Sequence, residues 1–188
     1  MAKIKYGLSN VYYAVATDDG NGVLTYQTPV AWKGAVSMSL DPQGETNTFF
    51  ADNIAYYTAT ADNGYQGDFE SALIPDTFRT AVLGETLDAK GFYVQKAGQP
   101  TVEFALLFQF ENDEHATRHC LYRCTASRPA VNGSTKEESI EPQTETITIT
   151  AMPRLNDELV KSRCPYTSST DSSYQTWFNA VTEPTASN

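Results

Sequence analysis

Short segments in which apolar and polar residues alternate recur along this chain, and turn-forming residues separate them. Alternation at every second residue is typical of a β-strand with one buried face. The strand over residues 101–111 has the clearest pattern, since large apolar residues occupy five alternate positions. The same pattern predicts further strands over residues 12–17, 23–27, 33–40, 54–61, 65–73, 117–127 and 144–151.

Turn residues indicate how these strands are connected. The Asp-Gly-Asn-Gly run at residues 19–22 tolerates positive φ and predicts a hairpin between the first two strands. The Asp-Asn-Gly run at residues 62–64 predicts a second hairpin, which pairs residues 54–61 with residues 65–73. Residues 41–53 predict a long loop, and loops of this length in compact domains are often functional.

Two segments have the periodicity of a helix. Phe78 and Val82 are four residues apart, with a proline before them and a glycine after them that are typical of helix ends. Near the C-terminus, four apolar residues within residues 174–181 recur at helical spacing, and Asp171 or Ser172 precedes them as the N-cap.

Together these elements predict a mainly β protein, all-β to α+β in class. We expect a β-sandwich or a barrel-like sheet with one flanking helix and a C-terminal helix. The 188 residues suit one domain, and no repeat or linker divides them. The core is expected over residues 4–153. A C-terminal extension, residues 154–188, would carry the short helix and a frayed tail at residues 182–188.

Composition and charge exclude some functions. The net charge is −10, and Lys and Arg form no cluster, whereas nucleic-acid binding by phosphate neutralisation needs one. No apolar run approaches the ~18 residues of a membrane span. The chain begins without the pattern of a signal peptide, and its three cysteines fit reduced thiols. We therefore expect the protein to stay in the cytoplasm of the cell in which it is made, without membrane association.

Candidate metal ligands are few. His115, His119, Cys120 and Cys124 lie close together, but their spacing does not match a zinc site. On a regular strand, Cys120 and Cys124 would face one way and His119 the other. The sequence therefore predicts two buried or half-buried thiols, and no metal or cofactor.

Two groups of acidic residues could carry other chemistry. Asp18, Asp19 and Asn21 weakly suggest a calcium loop, although a hairpin turn explains them better because the EF-hand spacing is absent. Asp68 and Glu70 share one face of a predicted strand and could act as the acid and base of a glycoside hydrolase. A solvated or pore-facing strand surface is the more typical interpretation, so we expect no enzymatic activity.

Longer sequence strings carry a more specific resemblance. The chain resembles the phi13-type major tail proteins of bacteriophages that infect Gram-positive bacteria. The matching strings are residues 5–14 (KYGLSNVYYA), 34–37 (GAVS), 40–47 (LDPQGETN), 51–53 (ADN), 63–67 (NGYQG), 104–108 (FALLF) and 138–145 (ESIEPQTE). They span most of residues 4–151, whereas the sequence beyond Arg154 is less characteristic.

The resemblance implies a tail tube fold and a structural role in a long, non-contractile phage tail. It implies that copies of the chain form rings, expected to be hexameric, which stack into a tube through which DNA passes without specific binding. It also implies the tail tip, tape measure and tail terminator proteins as partners. The mature protein would then belong to the virion, after assembly in the host cytoplasm.

Two surfaces would serve such a tube. We expect the 41–53 segment, together with the N-terminal segment, to form the contact between rings, because adjacent exposed aromatic residues need a partner surface. The candidate contact residues are Asp41, Gln43, Glu45, Asn47, Phe49, Phe50 and Asp52. Asp68 and Glu70 are the candidates for the channel wall, because anionic side chains repel the phosphates of DNA.

Other functions remain open at this point. A carbohydrate-binding β-sandwich could stack sugars on the tyrosines and on Trp32 or Trp177. A hydrolase could use Asp68 and Glu70, and another phage structural role, such as capsid decoration, would share the β-rich composition.

Overall fold

The computed structural model describes residues 3–135 and 142–185, so residues 138–141 of the matching strings and the last three residues lie outside it. The protein is mainly β, as predicted, with two short helices. The strands are β1 Lys5–Asp18, β2 Leu24–Tyr26, β3 Val30–Trp32, β4 Ala35–Pro42, β5 Thr46–Ala51, β6 Ile54–Thr60, β7 Tyr65–Ser71, β8 Thr86–Leu87, β9 Tyr93–Val94, β10 Phe104–Asn112, β11 Thr117–Ala126, β12 Glu145–Ala151 and β13 Lys161–Cys164. The helices are α1 Asp76–Ala81 and α2 Ser172–Gln175.

Nine of the strands form one antiparallel sheet that curls around a core. Its main path runs β2-β1-β10-β11-β12-β7-β4, with β3 paired to β1 and β13 paired to β11. Val11 and Trp32 from one side of this path and Phe69 from the other lie in the same buried cluster. The sheet therefore has the shape of a partly open barrel, which agrees with the barrel-like expectation.

The helix α1 lies against this core and fills it with an aromatic side chain. Phe78 is fully buried, and its ring makes edge contacts with Tyr13 and Phe104 at centroid distances of 5.0 and 5.2 Å. Pro75 is the N-cap of the helix rather than a residue of its first turn. The glycine that ends the segment, Gly84, has a φ of +77°, which a residue with a side chain rarely adopts.

The strand β10 is buried on both faces, whereas the sequence predicts one buried face. Phe104 and Leu106 point into the barrel, as predicted. Ala105 and Leu107, on the other face, lie in a second buried cluster under Trp177. The prediction missed this second layer because the residues that cover it are about seventy positions away in the sequence.

The C-terminal extension forms this second layer with little helix. The helix α2 has four residues, and the apolar residues up to Val181 are not in one continuous helix. Asp171 caps it, as predicted, by accepting hydrogen bonds from the backbone amides of Ser173 and Tyr174 at 3.0 and 3.2 Å. Beyond α2, Trp177 and Phe178 pack against the sheet in one cluster.

The predicted frayed tail begins with two fixed residues. The carbonyl of Thr182 accepts a 2.8 Å hydrogen bond from the hydroxyl of Tyr122. The carboxylate of Glu183 accepts hydrogen bonds from Arg154 at 2.8 Å. The expectation of a frayed tail is therefore wrong for these two positions.

One predicted hairpin is confirmed and the other is wrong. The first two strands, β1 and β2, pair across the turn at residues 19–22, where Asp18 and Asp19 accept hydrogen bonds from backbone amides. The second prediction joins the wrong strands, because β6 pairs with β5 and β7 pairs with β4 and β12. Residues 62–64 link β6 to β7 and do not turn the chain back.

Among the described residues, helices long and apolar enough to cross a membrane are absent.

Candidate assembly surfaces

The 41–53 segment is not a loop, because most of it belongs to a β-hairpin that projects from the barrel. Residues 43–62, which we call the arm, continue the paired strands β4 and β7. The amide of Gln43 donates to the carbonyl of Gly64 at 2.8 Å, and the amide of Ala61 donates to the carbonyl of Glu45 at 2.9 Å. A Cβ at Gly44 would lie 1.9 Å from the carbonyl oxygen of Ala61, so the two chains approach too closely for any other residue there.

The tip of the arm is a two-residue turn. Ala51 pairs with Ile54, so the loop consists of Asp52 and Asn53 alone. Their φ angles are +53° and +63°. Two successive positive φ values match the right-handed twist of a hairpin, and Asn and Asp tolerate them better than most residues. The hairpin therefore turns at the Asp-Asn pair, ten residues before the Asp-Asn-Gly run at which the sequence analysis placed the turn.

The arm exposes large apolar side chains on both strands. Phe49 and Phe50 are 62% and 65% exposed, and Tyr56 and Tyr57 are 72% and 64% exposed. The strands β5 and β6 pair only with each other, in a sheet of their own. A lone two-stranded hairpin is marginally stable in water, and exposed apolar patches of this kind mark interaction sites. Within the described part of the chain, the arm is thus an exposed apolar surface that no other element covers.

The structure places all the predicted contact residues on the arm or at its base. Asp41 lies at the end of β4, and Asp52 lies in the tip. The remaining five occupy the base and the strand β5: Gln43, Glu45, Asn47, Phe49 and Phe50. The strand β1 is antiparallel to β10, and β10 runs in the same direction as β4. The N-terminal segment, which leads into β1, therefore starts at the end of the barrel at which β4 finishes and the arm begins.

Asp68 and Glu70 lie on a polar face formed by three strands. In register, Ser39, Asp68 and Thr148 form one row across β4, β7 and β12. Ser37, Glu70 and Thr146 form the next row. The opposite face of these strands supplies buried core residues. Strict alternation in β12 therefore predicts this face correctly.

Hydroxyl groups hold both carboxylates on this face. Glu70 accepts hydrogen bonds from Ser37 Oγ at 2.8 Å and from Thr144 Oγ1 at 2.6 Å. Asp68 accepts one from Thr148 Oγ1 at 2.9 Å. The bonds from Thr144 and Ser37 lower the pKa of Glu70 below its usual value. Such a carboxylate stays ionised, whereas a general acid needs a raised pKa.

The His and Cys cluster is divided between two cores. His119 stacks on Phe108 at a centroid distance of 5.2 Å. Cys124 belongs to the barrel core and Cys120 to the cluster under Trp177, so the two cysteines face opposite ways. The prediction of a shared face is wrong because a register shift between β10 and β11 interrupts the alternation.

Burial sets the protonation of these thiols. It raises the pKa of Cys120 and of Cys124 well above the usual value, so both stay neutral and buried, as predicted. Within residues 3–135 and 142–185, clusters of three or more His, Cys, Asp or Glu side chains that could hold a metal are absent.

Both tryptophans are core residues. Trp32 is 2% exposed and donates a 2.9 Å hydrogen bond from Nε1 to Ser71 Oγ. Trp177 is 5% exposed and donates from Nε1 to the carbonyl of His119 at 3.3 Å. Neither indole face is available to a sugar, so the stacking platform that the sequence allows would have only tyrosines.

One exposed hairpin has no counterpart in the sequence prediction. The strands β8 and β9 pair with each other and form a separate two-stranded sheet. Leu87, Phe92 and Tyr93 are exposed on it. Two-residue strands are too short for alternation to reveal them, although the Gly-Phe-Tyr run at residues 91–93 marks a turn followed by large apolar residues.

Neither a comparison with models of known protein families nor a comparison with curated proteins gave a match for this sequence.

Proposed function

We propose that this protein is the major tail tube subunit of a long, non-contractile bacteriophage tail, and that it acts by polymerising rather than by catalysis. The observation that carries the proposal is the arm, an exposed aromatic hairpin that extends the barrel and has no partner surface within the described part of the chain. The sequence strings described above point to the same family.

The arm supports an assembly role for an energetic reason. Phe49, Phe50, Ile54, Tyr56 and Tyr57 are each more than 60% exposed. Burying apolar surface contributes about 25 cal/mol per Å², so covering these side chains would be a main source of association free energy. A contact between two different surfaces repeats from copy to copy and builds rings or filaments.

The polar face supports the channel. Its two rows of Ser, Thr, Asp and Glu side chains contain no cation. In a ring, such faces could line a central passage and repel the phosphates of DNA. Asp68 and Glu70 are the proposed wall residues, because Asp68 is exposed on this face and hydrogen bonds from Thr144 and Ser37 lower the pKa of the half-buried Glu70.

The alternatives receive less support. A glycoside hydrolase would need one carboxylic acid with a raised pKa, and the pKa of Glu70 is lowered. A sugar-binding sandwich would lack its tryptophans, since both are buried. The β-rich fold and the exposed arm would also suit a capsid decoration protein, so the shape of the assembly distinguishes that role from a tube.

Negative-stain electron microscopy of the purified protein tests the proposal. We expect hollow tubes built from stacked rings at high protein concentration. The double substitution Phe49→Ala and Phe50→Ala should remove the tubes, because it deletes the aromatic surface of the arm. Leu155→Ala is the matched control, since Leu155 is 67% exposed and lies on neither hairpin.

Two results would contradict the proposal. One is a wild-type protein that stays monomeric at every concentration. The other is a double variant that forms full-length tubes at the wild-type yield. Circular dichroism of the double variant should match that of the wild type, because both substituted residues lie outside the buried cores.

A further inference from the structure

The two small hairpins of the molecule lie at opposite ends of the barrel. The arm joins the end of β4 to the start of β7. The β8–β9 hairpin lies between the end of β7 and the start of β10, and β7 runs antiparallel to β10 through β12 and β11. One hairpin is therefore rooted where β7 begins and the other where β7 ends.

Contacts fix the β8–β9 hairpin at that second end. The guanidinium of Arg128, just after β11, donates hydrogen bonds to the carbonyls of Lys96 and Gln99 at 3.5 and 3.4 Å. Gln95 lines a small cleft together with Glu145, the first residue of β12. The hairpin thus belongs to the end at which β11 finishes and β12 begins.

Both hairpins expose apolar surface and stand apart from the main sheet. On the β8–β9 hairpin, Leu87 is 58%, Phe92 62% and Tyr93 47% exposed. Each hairpin pairs only with itself, so neither gains stability from a third strand. A partner surface would stabilise each of them, and the two surfaces are similar in chemistry.

Their charges are opposite in sign. The arm, residues 43–62, carries the carboxylates of Glu45, Asp52 and Asp62 and has no Lys or Arg. Residues 86–99 carry Lys90 and Lys96 against one acid, Asp88, which accepts hydrogen bonds from the amides of its own turn. Among the described residues, Lys90 and Lys96 form no ion pair with a carboxylate.

We infer that the arm of one copy docks on the β8–β9 hairpin of a second copy, with its aromatic residues against Leu87, Phe92 and Tyr93 and its carboxylates facing Lys90 and Lys96. The inference rests on the proposed self-assembly and names the surface that receives the arm. Since donor and acceptor lie at opposite ends, each copy can receive one arm and donate another. Such a contact repeats head to tail and produces an open filament with a direction.

A mixing experiment tests this pairing. One variant, Phe49→Ala with Phe50→Ala, loses the arm surface and keeps the acceptor. The other, Leu87→Ala with Phe92→Ala, loses the acceptor and keeps the arm. Neither should form tubes alone. In their mixture, only the arm of the second variant and the acceptor of the first are intact, so each assembly can contain a single junction. Analytical ultracentrifugation should therefore show a species with twice the mass of the largest species that either variant forms alone.

A crosslinking experiment locates the contact independently of any loss of folding. In a Cys164→Ser background, which removes the half-exposed thiol, Asn53→Cys is mixed with Lys90→Cys and treated with a short bismaleimide. We expect crosslinked heterodimers, which the double substitution Phe49→Ala and Phe50→Ala in the Asn53→Cys chain should abolish. Asn53→Cys mixed with Leu155→Cys is the control and should give none.

The outcomes separate the inference from the proposed function. If the wild type stays monomeric, the proposed tube fails, and the inference fails with it. If the wild type forms tubes but the Leu87→Ala and Phe92→Ala variant also does, only the inference fails. Crosslinks between two Asn53→Cys chains, without crosslinks to Lys90→Cys, would show arm-to-arm contact and overturn the head-to-tail pairing.

Discussion

At the scale of single residues, Arg154 connects the C-terminal extension to the barrel. Its side chain is 6% exposed and forms an ion pair with Asp157. It forms a second ion pair with Glu183, at 2.8 Å, and its guanidinium lies 5.1 Å from the centre of the Tyr122 ring. The hydrogen bond to Asp157, followed by the one to Glu183, raises the pKa of its guanidinium, so the charge is permanent. Arg154 thereby fixes both ends of residues 154–183.

Replacing this charge should destabilise the fold. We expect Arg154→Met to lower the free energy of unfolding by about 2 kcal/mol, less than the 3–5 kcal/mol of a fully buried pair, because its partners are 41% and 51% exposed. Urea denaturation measures the change. Asp157→Asn, which keeps the cation and one partner, should cost less, and equal losses would contradict this account.

His119 makes stability depend on pH. Burial, and then the positive charges of Lys161, Lys5 and Arg163, lower the pKa of its imidazole to about 4. The unfolded chain binds a proton near pH 6.5, whereas the folded chain does so only near pH 4. Stability is therefore lost as the pH falls through this interval, since the unfolded state binds more protons there.

The variant His119→Gln isolates this contribution. Between about pH 7 and about pH 5, the wild type should lose roughly 1–2 kcal/mol more than the variant. Urea midpoints at both pH values measure the difference. Equal pH dependence in the two proteins would show that the imidazole titrates normally in the folded state.

At the scale of elements, the close approach of β4 and β7 sets the base of the arm. A Cβ at Gly67 would lie 1.9 Å from the carbonyl oxygen of Ser39, so this position accepts only glycine. The pairing of β4 with β7 continues into the arm through residues 43 and 64. A side chain at position 67 should therefore destabilise the strand pairing in the arm as well as in the barrel.

Gly67→Ala tests this dependence. We expect a loss of about 1–3 kcal/mol in the free energy of unfolding, the usual cost of inserting an atom into a packed site. Gly133→Ala is the control, since a Cβ there has no atom within 4 Å. Hydrogen exchange should also show faster exchange of arm amides in Gly67→Ala, and unchanged exchange would contradict the link between the two.

The second layer depends on one large side chain. Trp177 covers Ala105, Leu107 and Cys120 on the outer face of the barrel. We expect Trp177→Ala to cost about 3–5 kcal/mol, the range for removing a buried aromatic residue. Urea denaturation measures the loss, and Leu155→Ala, at an exposed position in the same extension, should change stability little.

At the scale of the whole molecule, the proposed tube predicts how the negative charge of each copy acts on DNA. Each copy has a net charge of −10, and the face that carries Asp68 is exposed. If this face lines a tube, its charge controls how strongly DNA is retained. The test therefore needs assembled tubes rather than single subunits.

If Asp68 lines the proposed channel, Asp68→Lys should make that channel retain DNA. We expect tubes of this variant to keep short duplex DNA after sedimentation, with retention that falls as salt rises, whereas wild-type tubes release it. The pair Ser169→Lys and Thr170→Lys adds the same two charges in the C-terminal extension. Equal retention by this control would place Asp68 outside the channel.

Short-range patterns in the amino-acid sequence were enough to predict several local features of the fold. Alternation in residues 144–151 predicts a strand whose Ile147 and Ile149 are buried, and the Phe78 and Val82 spacing predicts α1. The turn after β1 is also correct, because Asp, Asn and Gly supply both the φ angles and the hydrogen bonds of a turn. These features depend on neighbours within a few residues.

The pairing of the strands and the residues that cover each face depend on long-range contacts, which short-range patterns do not encode. Two turn signals, at residues 52–53 and at residues 62–64, compete for the same hairpin, and the pairing of β7 with β4 and β12 selects the first. The burial of Leu107 under Trp177 likewise joins positions far apart in sequence. Alternation predicts strands but not their partners. The arm could therefore be recognised only once the pairing of β4 with β7 had set its register and exposure.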